Sequence, residues 1–354
     1  MPQSEMKAIS LFSGMGGDTL GMKQAGINVV GFNEINKKFI ETHEKNFENC
    51  KFIGGNITDI NKIPDDEIKK LENINLIFAG FPCQGFSNAG KKLPSDPRNT
   101  LFREFARFTK ILKPDYIIGE NVKGLLSRQT DKKEKFIDII VEEFKNLGYD
   151  IKFKVFKTHE YGVPQKRERL IIIGSRIELQ NPLNFPEPFE SDTSLKNIVK
   201  FSMEGTIAFD FSDMGIPEEC IIKDLDNEES PSNPHPYLTS KVEANLEKRT
   251  YNDKVHDTLI SFSKRDSPIH CEIIDIRNPS KTIICSYDHQ PRLYVPIQNK
   301  NGRYIRCLLP DELKQIQGFP EDYEVLGNLK QKIVQIGNAV PPPLIKQVVE
   351  KLII

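Results

Sequence analysis

Short apolar segments alternate with helical segments through the first half of the chain, and this alternation restricts the possible folds more than any other feature. A β-α-β-α order favours a mostly parallel sheet that is covered by helices on both faces. The predicted strands are 8–12, 28–32, 52–53, 75–79, 116–119, 151–157 and 170–174, and the predicted helices lie near 18–25, 36–47, 99–112 and 132–147.

Composition sets wide limits around such a sheet. The chain has 354 residues, of which 38% are hydrophobic, so it can bury a full core, and its length predicts two lobes. No apolar run is long enough to span a bilayer, and the polar segment before the first strand predicts no secretory signal. Six scattered cysteines without a C-x-x-C pair argue against a disulfide framework or a zinc site. We therefore expect a cytoplasmic protein; the net charge of −1 neither indicates nor excludes nucleic acid as a partner.

The pattern changes near residue 180. Residues 181–188 have the composition of a linker, and residues 190–300 are irregular, with a proline-rich acidic tract at 224–236. Regular order returns near residue 303, where residues 309–313 open a predicted helix, and the chain ends in another at 341–354. These changes predict a second, smaller domain.

A cysteine closely follows the strand at 75–79. Residues 80–91 read Gly-Phe-Pro-Cys-Gln-Gly-Phe-Ser-Asn-Ala-Gly-Lys, so Cys83 stands at the carboxyl end of a buried strand, at the mouth of a loop rich in Gly, Ser and Asn. Ligands bind at that edge of an open α/β sheet. A thiol in this position can reach a substrate and act as a nucleophile.

The first strand ends in a glycine turn. Residues 12–17 read Phe-Ser-Gly-Met-Gly-Gly, and Thr19 stands where the dinucleotide fingerprint has its third glycine. Glycines at a strand-to-helix turn let a ligand approach the backbone closely. Glu34 follows 20 positions after Gly14, at the end of the second strand, where a carboxylate can bind a ribose diol. The pattern favours a nucleoside site; a tight turn without a ligand is the alternative.

Two polar segments adjoin other strands. Glu120 follows the strand at 116–119, at the sheet edge expected for Cys83, and a desolvated carboxyl there can stay protonated and donate to a ring nitrogen. Residues 165–169 read Gln-Lys-Arg-Glu-Arg, just before the apolar strand at 170–174, and would present arginine donor forks to the same site. Alone, the first motif would indicate a helix cap or a surface acid, and the second a solvated charge run.

Together these segments closely resemble the DNA (cytosine-5) methyltransferase family of bacteria and phages. The resemblance follows the family's order over nearly the whole chain, except for about residues 186–275. The combination of Phe-Pro-Cys-Gln with Glu-Asn-Val and Gln-Lys-Arg-Glu-Arg is highly specific. The resemblance implies a Rossmann-like S-adenosylmethionine-dependent methyltransferase domain with a smaller, irregular target-recognition domain. The matching segments are 12–17, Glu34, 80–91, 120–122, 165–169, 306–320 and 337–340.

The resemblance also implies the chemistry. Cys83 would add to carbon 6 of cytosine and make carbon 5 reactive, while Glu120 would contact ring nitrogen 3. Arg167 and Arg169 would hold the cytosine carbonyl and the Cys83 region. The methyl group would come from S-adenosylmethionine, and no metal is needed. Because a stacked base is out of reach, the target cytosine would be flipped out of the duplex.

By the same matching, the cofactor would lie on the glycine turn and on the ends of neighbouring strands. Glu34 would bind the ribose hydroxyls, and Ile35 would pack on the adenine. Three positions depart from the family's pattern, because Asn56 replaces an acid, Ile35 an aromatic residue and Gln315 an arginine. The implied cofactor residues are Phe12, Ser13, Gly14, Gly16, Gly17, Glu34, Ile35, Asn56, Ile57, Pro82, Leu101, Asn338, Ala339 and Val340.

Double-stranded DNA is the implied partner. Residues 1–185 correspond to the catalytic domain, 186–325 to the target-recognition domain, and 326–354 to a segment that returns to the catalytic domain. Basic side chains after Cys83 suit phosphates, and polar side chains in the variable region suit base edges. Each of these residues can instead be an ordinary solvated loop residue that does not contact DNA. The candidate DNA-binding residues are Ser87, Lys91, Lys92, Arg98, Lys264, Arg265, His289, Gln290 and Arg292.

The function expected from these observations is a sequence-specific DNA methyltransferase, acting as a monomer, with or without a restriction endonuclease for the same site. A tRNA cytosine-5 methyltransferase is one alternative; that branch tends to carry Cys-Phe-Thr where residues 282–288 stand here. A non-catalytic DNA-binding relative would have lost a catalytic group, yet Cys83, Glu120 and Arg167 are all present. A dinucleotide oxidoreductase is disfavoured by Thr19 and by Cys83 itself.

Overall fold

The chain divides into two compact units in the computed structural model. The first comprises Met1–Ser191, Asp322–Gly327 and Ala339–Ile354, and the second comprises Asp192–Glu321 and Asn328–Asn338. The assignment of catalysis and target recognition to separate domains stays a prediction. The residues that the structure describes are 6–82, 101–212, 214–236, 238–239, 250–251, 259–261, 271–288 and 291–353.

The first unit is built on a seven-stranded sheet. Its strands are β1 (Lys7–Leu11), β2 (Asn28–Asn33), β3 (Lys51–Phe52), β4 (Ile74–Ala79), β5 (Tyr116–Val122), β6 (Tyr149–Lys157) and β8 (Glu168–Arg176), with the two-residue β7 (Gln165–Lys166) before the last. The strand order is β3-β2-β1-β4-β5-β8-β6. The first five strands in this order are parallel, and β8 runs antiparallel to both of its neighbours. The expected α/β fold with a mostly parallel sheet is confirmed.

The described α-helices include six that the sequence predicted and two, at 65–69 and 329–338, that it did not. They are α1 (Gly17–Gln24), α2 (Lys37–Asn46), α3 (Asp65–Lys69), α4 (Phe102–Leu112), α5 (Phe136–Asn146), α6 (Pro310–Ile316), α7 (Leu329–Asn338) and α8 (Pro342–Ile353). In the first unit, α1 packs against α8 at Gly21, where an added side-chain carbon would lie 2.7 Å from Cβ of Ile345. A larger residue at Gly21 would therefore separate the two helices.

The start of α5 differs from the prediction. The sequence indicated a helix from about residue 132, but residues 129–135 form a closed turn, in which the amide of Thr130 donates to the Glu134 carbonyl at 2.9 Å. Lys133 lies in this turn with a φ of 64°, which a helix cannot accommodate. The apolar residues that face the core begin only at Phe136.

The second unit contains a sheet of its own, which the sequence did not predict. The strands of this sheet are β9 (Ile207–Ala208), β10 (Ile222–Asp224), β11 (Thr250–Tyr251), β12 (Leu259–Ser261), β13 (Cys271–Ile273), β15 (Leu293–Asn299) and β16 (Gly302–Cys307), while the two-residue β14 (Ser280–Lys281) lies outside it. Its core is the antiparallel hairpin of β15 and β16, closed where Asn299 pairs with Gly302. The sequence indicated that residues 190–300 are irregular, and the structure adds these strands to segments without helix or strand, such as 190–206. Most of these strands have two or three residues, which is too short to show the alternation of apolar and polar residues that predicts a strand. In the longer β15, Pro296 argues against a strand.

Candidate active site

The ends of three strands meet at one edge of the first sheet. The amide of Gly80, just after β4, donates to the carbonyl of Leu11 at the end of β1 over 3.2 Å. A side-chain carbon added at Gly80 would lie 3.6 Å from the carbonyl oxygen of Phe12 and 3.9 Å from Oε2 of Glu120 on β5. Successive strands are added to one side of β1 up to β3 and to its other side from β4 onward, so β1 and β4 flank a topological switch point. Ligands bind beside such a switch point in open α/β sheets. The structure thus brings the predicted Phe12 and Glu120 together at a candidate site.

Glu120 is a buried acid that faces an arginine. Its Oε1 lies 2.7 Å from Nε of Arg169, and both side chains are close to nine-tenths buried. Val122 of β5 pairs with Arg169 of β8. Glu120, two positions before Val122, therefore lies diagonally across from Arg169 on the same face of the sheet. Burial raises the pKa of the Glu120 carboxyl, and the nearby guanidinium opposes this rise. A buried carboxyl at the sheet edge where ligands bind is a candidate for proton exchange with a base.

Arg169 pairs with Glu120, and its guanidinium also donates to the Glu168 carbonyl at 2.8 Å. The contacts that the sequence assigned to it, with the cytosine carbonyl and the Cys83 region, stay a prediction. Arg167 is 3% exposed, and its carbonyl accepts the amide of Thr158 at 2.8 Å, so its backbone is held firmly. Its expected contact with the base stays a prediction.

The chain leading to the predicted nucleophile is anchored. Cys83 itself lies outside the described residues. Two positions before it, the carbonyl of Phe81 accepts a hydrogen bond from the side-chain amide of Asn121 at 3.1 Å, and both residues are buried. Sequence reasoning did not assign a role to Asn121, although its place beside Glu120 was the available signal. Asn121 therefore fixes the end of β4 relative to β5.

Two glycines of the turn after β1 have different surroundings. A side-chain carbon at Gly14, whose φ is +58°, would meet no atom within 4 Å among the described residues. At Gly16, with φ of +91°, the same carbon would lie 2.5 Å from the ring of Phe47 and 2.9 Å from that of His43. Gly14 thus borders open space that a ligand can fill, while Gly16 permits close packing of the interior. Both were predicted as cofactor residues.

Glu34 presents an organised acceptor beside this turn. Its carboxylate accepts the backbone amides of Gly14, Ile35 and Asn36, each at 2.9 Å. A carboxylate has about four acceptor positions, so it retains capacity for a hydroxyl group. Burial raises the pKa of this carboxyl in spite of the three amides. The neighbouring Ile35 is 67% exposed, an unusual position for an aliphatic side chain and one that suits an apolar ring. These features fit a ribose and an adenine ring.

The other predicted cofactor residues occupy different parts of the chain. Asn56 is exposed and Ile57 is half-buried, in a loop next to β3. Pro82 and Leu101 are half-buried on either side of the undescribed segment 83–100. Ser13 is buried in the turn, where its hydroxyl lies 3.5 Å from that of Thr19, and Gly17 begins α1. The remaining predicted residues are Asn338, exposed at the end of α7, Ala339, buried, and Val340, half-buried.

Most of the predicted DNA-binding residues cannot be placed. Of the nine, Arg292 is described, half-buried just before β15. Those outside the described residues are Ser87, Lys91, Lys92, Arg98, Lys264, Arg265, His289 and Gln290.

No helix in the described ranges is long and apolar enough to cross a membrane. Within the same ranges, no cluster of three or more His, Cys, Asp or Glu side chains is arranged to hold a metal ion.

The sheet order, the glycine turn after β1 and the acid at the end of β2 are those of a Rossmann-like fold, the class of fold in which nucleosides bind at this edge of the sheet. Comparison with known proteins narrows this class. Residues 6–354 match the family described as C-5 cytosine-specific DNA methylase, and the chain belongs to that family. The enzyme class expected from the sequence, a DNA (cytosine-5) methyltransferase, is thereby confirmed. Methyltransferases of this family use S-adenosylmethionine.

The similar proteins span the whole chain. Type II methyltransferase M.FnuDI of Fusobacterium nucleatum is 31% identical over 350 residues, which cover 96% of this chain and 92% of that protein. Type II methyltransferase M.NgoFVII of Neisseria gonorrhoeae is 30% identical, covering 95% and 83%. The crystal structure of a mutant of Spodoptera frugiperda DNMT2 has a TM-score of 0.67 at 19% identity, covering 98% of this chain and 99% of that one. At this identity the structural likeness concerns the fold alone.

Proposed function

We propose that this protein is the DNA methyltransferase of a type II restriction-modification system and methylates carbon 5 of a cytosine within a specific duplex sequence. The observation that carries the proposal is the buried Glu120 carboxyl, held by Arg169 where the ends of β1, β4 and β5 meet. The type II assignment rests on the names of relatives such as M.FnuDI. A restriction endonuclease for the same site would be its partner.

The proposed reaction begins with a covalent bond between Cys83 and the base. The thiolate of Cys83 adds to carbon 6 of a flipped cytosine, while the Glu120 carboxyl gives a proton to ring nitrogen 3 and absorbs the charge that develops there. Carbon 5 becomes enamine-like and therefore nucleophilic. When carbon 5 later loses its proton, the electrons of that bond re-form the ring double bond and expel Cys83 as thiolate, and nitrogen 3 returns its proton.

S-adenosylmethionine supplies the electrophilic methyl group when bound. Glu34 would bind its ribose hydroxyls with the acceptor capacity left by three backbone amides, and Ile35 would pack against its adenine. No atom of the described residues lies within 4 Å of a side-chain carbon placed at Gly14, which leaves room for the cofactor to lie against the backbone there. Asn56 and Ile57 would contact the adenine edge, because an amide oxygen can accept from the adenine amino group.

The roles of the two parts of the chain are also proposed. Residues 186–325 would read the DNA sequence, while the first sheet carries the chemistry. Exchange of 186–325 for the corresponding region of a relative would change the methylated site but not the reaction. The enzyme would act as a monomer.

The direct test measures methyl transfer from radiolabelled S-adenosylmethionine to duplex DNA and, in parallel, to tRNA. We expect incorporation into DNA, loss of incorporation in Cys83→Ser with cofactor binding retained, and full activity in Cys285→Ser, which removes an exposed cysteine of the second unit. Bisulfite sequencing would then identify the methylated cytosine. Transfer to tRNA and not to DNA, or unchanged turnover in Cys83→Ser, would contradict the proposal.

A further inference from the structure

Asn33 is a buried amide at the end of β2 that sequence reasoning did not single out. Its side chain is 1% exposed, and its Cα pairs with that of Leu11, the last residue of β1. It stands directly before Glu34. A buried amide is stable only when its polar atoms find partners, so its contacts identify what it holds.

The contacts of Asn33 join three segments. Its backbone carbonyl accepts the amide of Ser13 in the glycine turn at 3.0 Å. Its side-chain nitrogen lies 3.4 Å from the carbonyl oxygen of Ile53 and 3.4 Å from that of Thr58, and it donates to both. The two acceptors bracket residues 54–57, the loop that carries Asn56 and Ile57. Asn33 thus holds the glycine turn through its backbone carbonyl and both ends of the loop through its side-chain amide.

The bracketed loop needs such support. Gly54 and Gly55 have φ values of +99° and +61°, and the loop is closed internally by the amide of Ile57, which donates to the Gly54 carbonyl at 2.9 Å. Two consecutive glycines give a loop many alternative conformations when nothing fixes its ends. A loop that is ordered only on ligand binding lowers the affinity by the cost of ordering it.

We propose that Asn33 is a positioning residue that fixes the 54–57 loop against the glycine turn before the cofactor binds, so that adenine and ribose are recognised by one preformed surface. The inference rests on the proposed function, in which Glu34 contacts the ribose and Asn56 and Ile57 contact the adenine. Asn33 would touch neither cofactor nor DNA, and it would act through the loop that it holds.

A matched amide exists in the same sheet. At the start of β4, Asn75 accepts the amide of Lys7 and donates to the carboxylate of Asp115, each at 3.0 Å. It lies at the amino ends of the parallel strands, away from the carboxyl ends where the candidate site forms. Asn75→Ala therefore measures what the loss of a bridging amide does to the fold without touching the cofactor loop.

The test compares Asn33→Ala, Asn33→Asp and Asn75→Ala in the full-length protein. For both Asn33 variants we expect the dissociation constant of S-adenosylmethionine, measured by titration calorimetry, to rise about tenfold. The KM for this cofactor should rise in parallel, with kcat at saturation and the KM for DNA within about twofold of the unsubstituted enzyme. Asn75→Ala should leave all three constants unchanged. In the ligand-free protein, amide hydrogen exchange across 53–58 should be faster in the Asn33 variants alone.

The outcomes separate the inference from the proposed function. Unchanged cofactor affinity in Asn33→Ala, or an equal loss in Asn75→Ala, would overturn the positioning role, as would unchanged exchange across 53–58. If the unsubstituted protein bound no S-adenosylmethionine, the proposed function would fail, and the exchange measurement would still decide whether Asn33 holds the loop. Should Asn33→Ala not fold, Asn33→Asp preserves the side-chain volume and is judged by the same criteria.

Discussion

Each of the two units buries a glutamate against an arginine, but the two pairs differ in how many donors from the described residues reach the carboxylate. In the second unit, Arg306 binds both oxygens of Glu312, at 2.7 and 2.8 Å, and the amides of Leu309 and Lys200 add bonds of 2.9 and 3.2 Å. In the first unit, Arg169 meets one oxygen of Glu120. Among the described residues, Arg169 is the one ion-pair partner of that carboxylate.

This difference separates a structural pair from a functional one. Four donors fill the acceptor capacity of Glu312, and the guanidinium of Arg306 also donates to the carbonyls of Lys200 and Cys307, so this cluster ties three segments of the second unit together. The second oxygen of Glu120 instead faces the point where strand ends meet, close to Gly80. A buried carboxyl with spare capacity can exchange a proton with a substrate, whereas a saturated one cannot.

Glu120→Gln tests the functional side of this comparison and has the largest expected effect. The amide preserves the volume but cannot give up a proton in the same way, so kcat should fall by about 10²–10⁴-fold. Because the substitution leaves the Arg169 guanidinium buried without its counter-ion, the free energy of unfolding should also fall, by about 3 kcal/mol as in other buried pairs, and kcat is therefore referred to the folded protein. Steady-state kinetics and urea unfolding of one preparation measure both quantities. An enzyme that kept its kcat would remove Glu120 from the reaction.

Glu312→Gln tests the structural side. The substitution leaves the Arg306 charge buried without its counter-ion, which costs about 3 kcal/mol of stability in comparable buried pairs. We expect the urea midpoint to fall accordingly, while the kcat of the protein that remains folded stays close to its original value. A fall in kcat without any loss of stability would show that the Glu312–Arg306 pair serves the reaction and not the fold.

A third buried acid, Asp18, extends the comparison. One of its carboxylate oxygens lacks a hydrogen-bond partner among the described residues, and we propose no part for it in the reaction. Asp18 in α1 accepts a hydrogen bond from the Ser10 hydroxyl with its other oxygen. Burial raises its pKa from 3.8 to about 7. The folded state therefore holds a proton that the unfolded chain releases between these values, and the contribution of Asp18 to stability falls as the pH rises through this window.

Asp18→Asn should remove this dependence. A rise in pKa from 3.8 to about 7 corresponds to about 4 kcal/mol, so the variant should be more stable than the original protein by up to that amount at pH 8 and should gain little at pH 4. The contribution of His43 to stability changes with pH in the opposite direction, because burial lowers its pKa to about 3. His43 is present in both proteins. The difference between their two curves of stability against pH therefore reports on Asp18. Thermal or urea unfolding across this pH range measures the effect. Equal stability at pH 8 would show that Asp18 carries no such penalty.

The parts of the fold that the sequence predicted are those with long apolar strands. The segment Leu170 to Gly174 and the strand before Gly80 were placed correctly because continuous apolar runs identify buried strands. The Glu120–Arg169 pair was not predicted, because it depends on the antiparallel register of β5 and β8, which no local pattern contains. Asn33 was missed for the same reason, since its acceptors are backbone carbonyls about 20 and 25 residues away.

The most direct measurement of the central claim is a covalent trap. A duplex that carries 5-fluorocytosine at the methylated position has no carbon-5 proton to lose, so the Cys83 adduct cannot be resolved after methyl transfer. Incubated with this duplex and S-adenosylmethionine, the protein should form a denaturation-resistant complex with one DNA strand, and Cys83→Ser should form none. Methylation of ordinary DNA by a protein that forms no such complex would contradict the account.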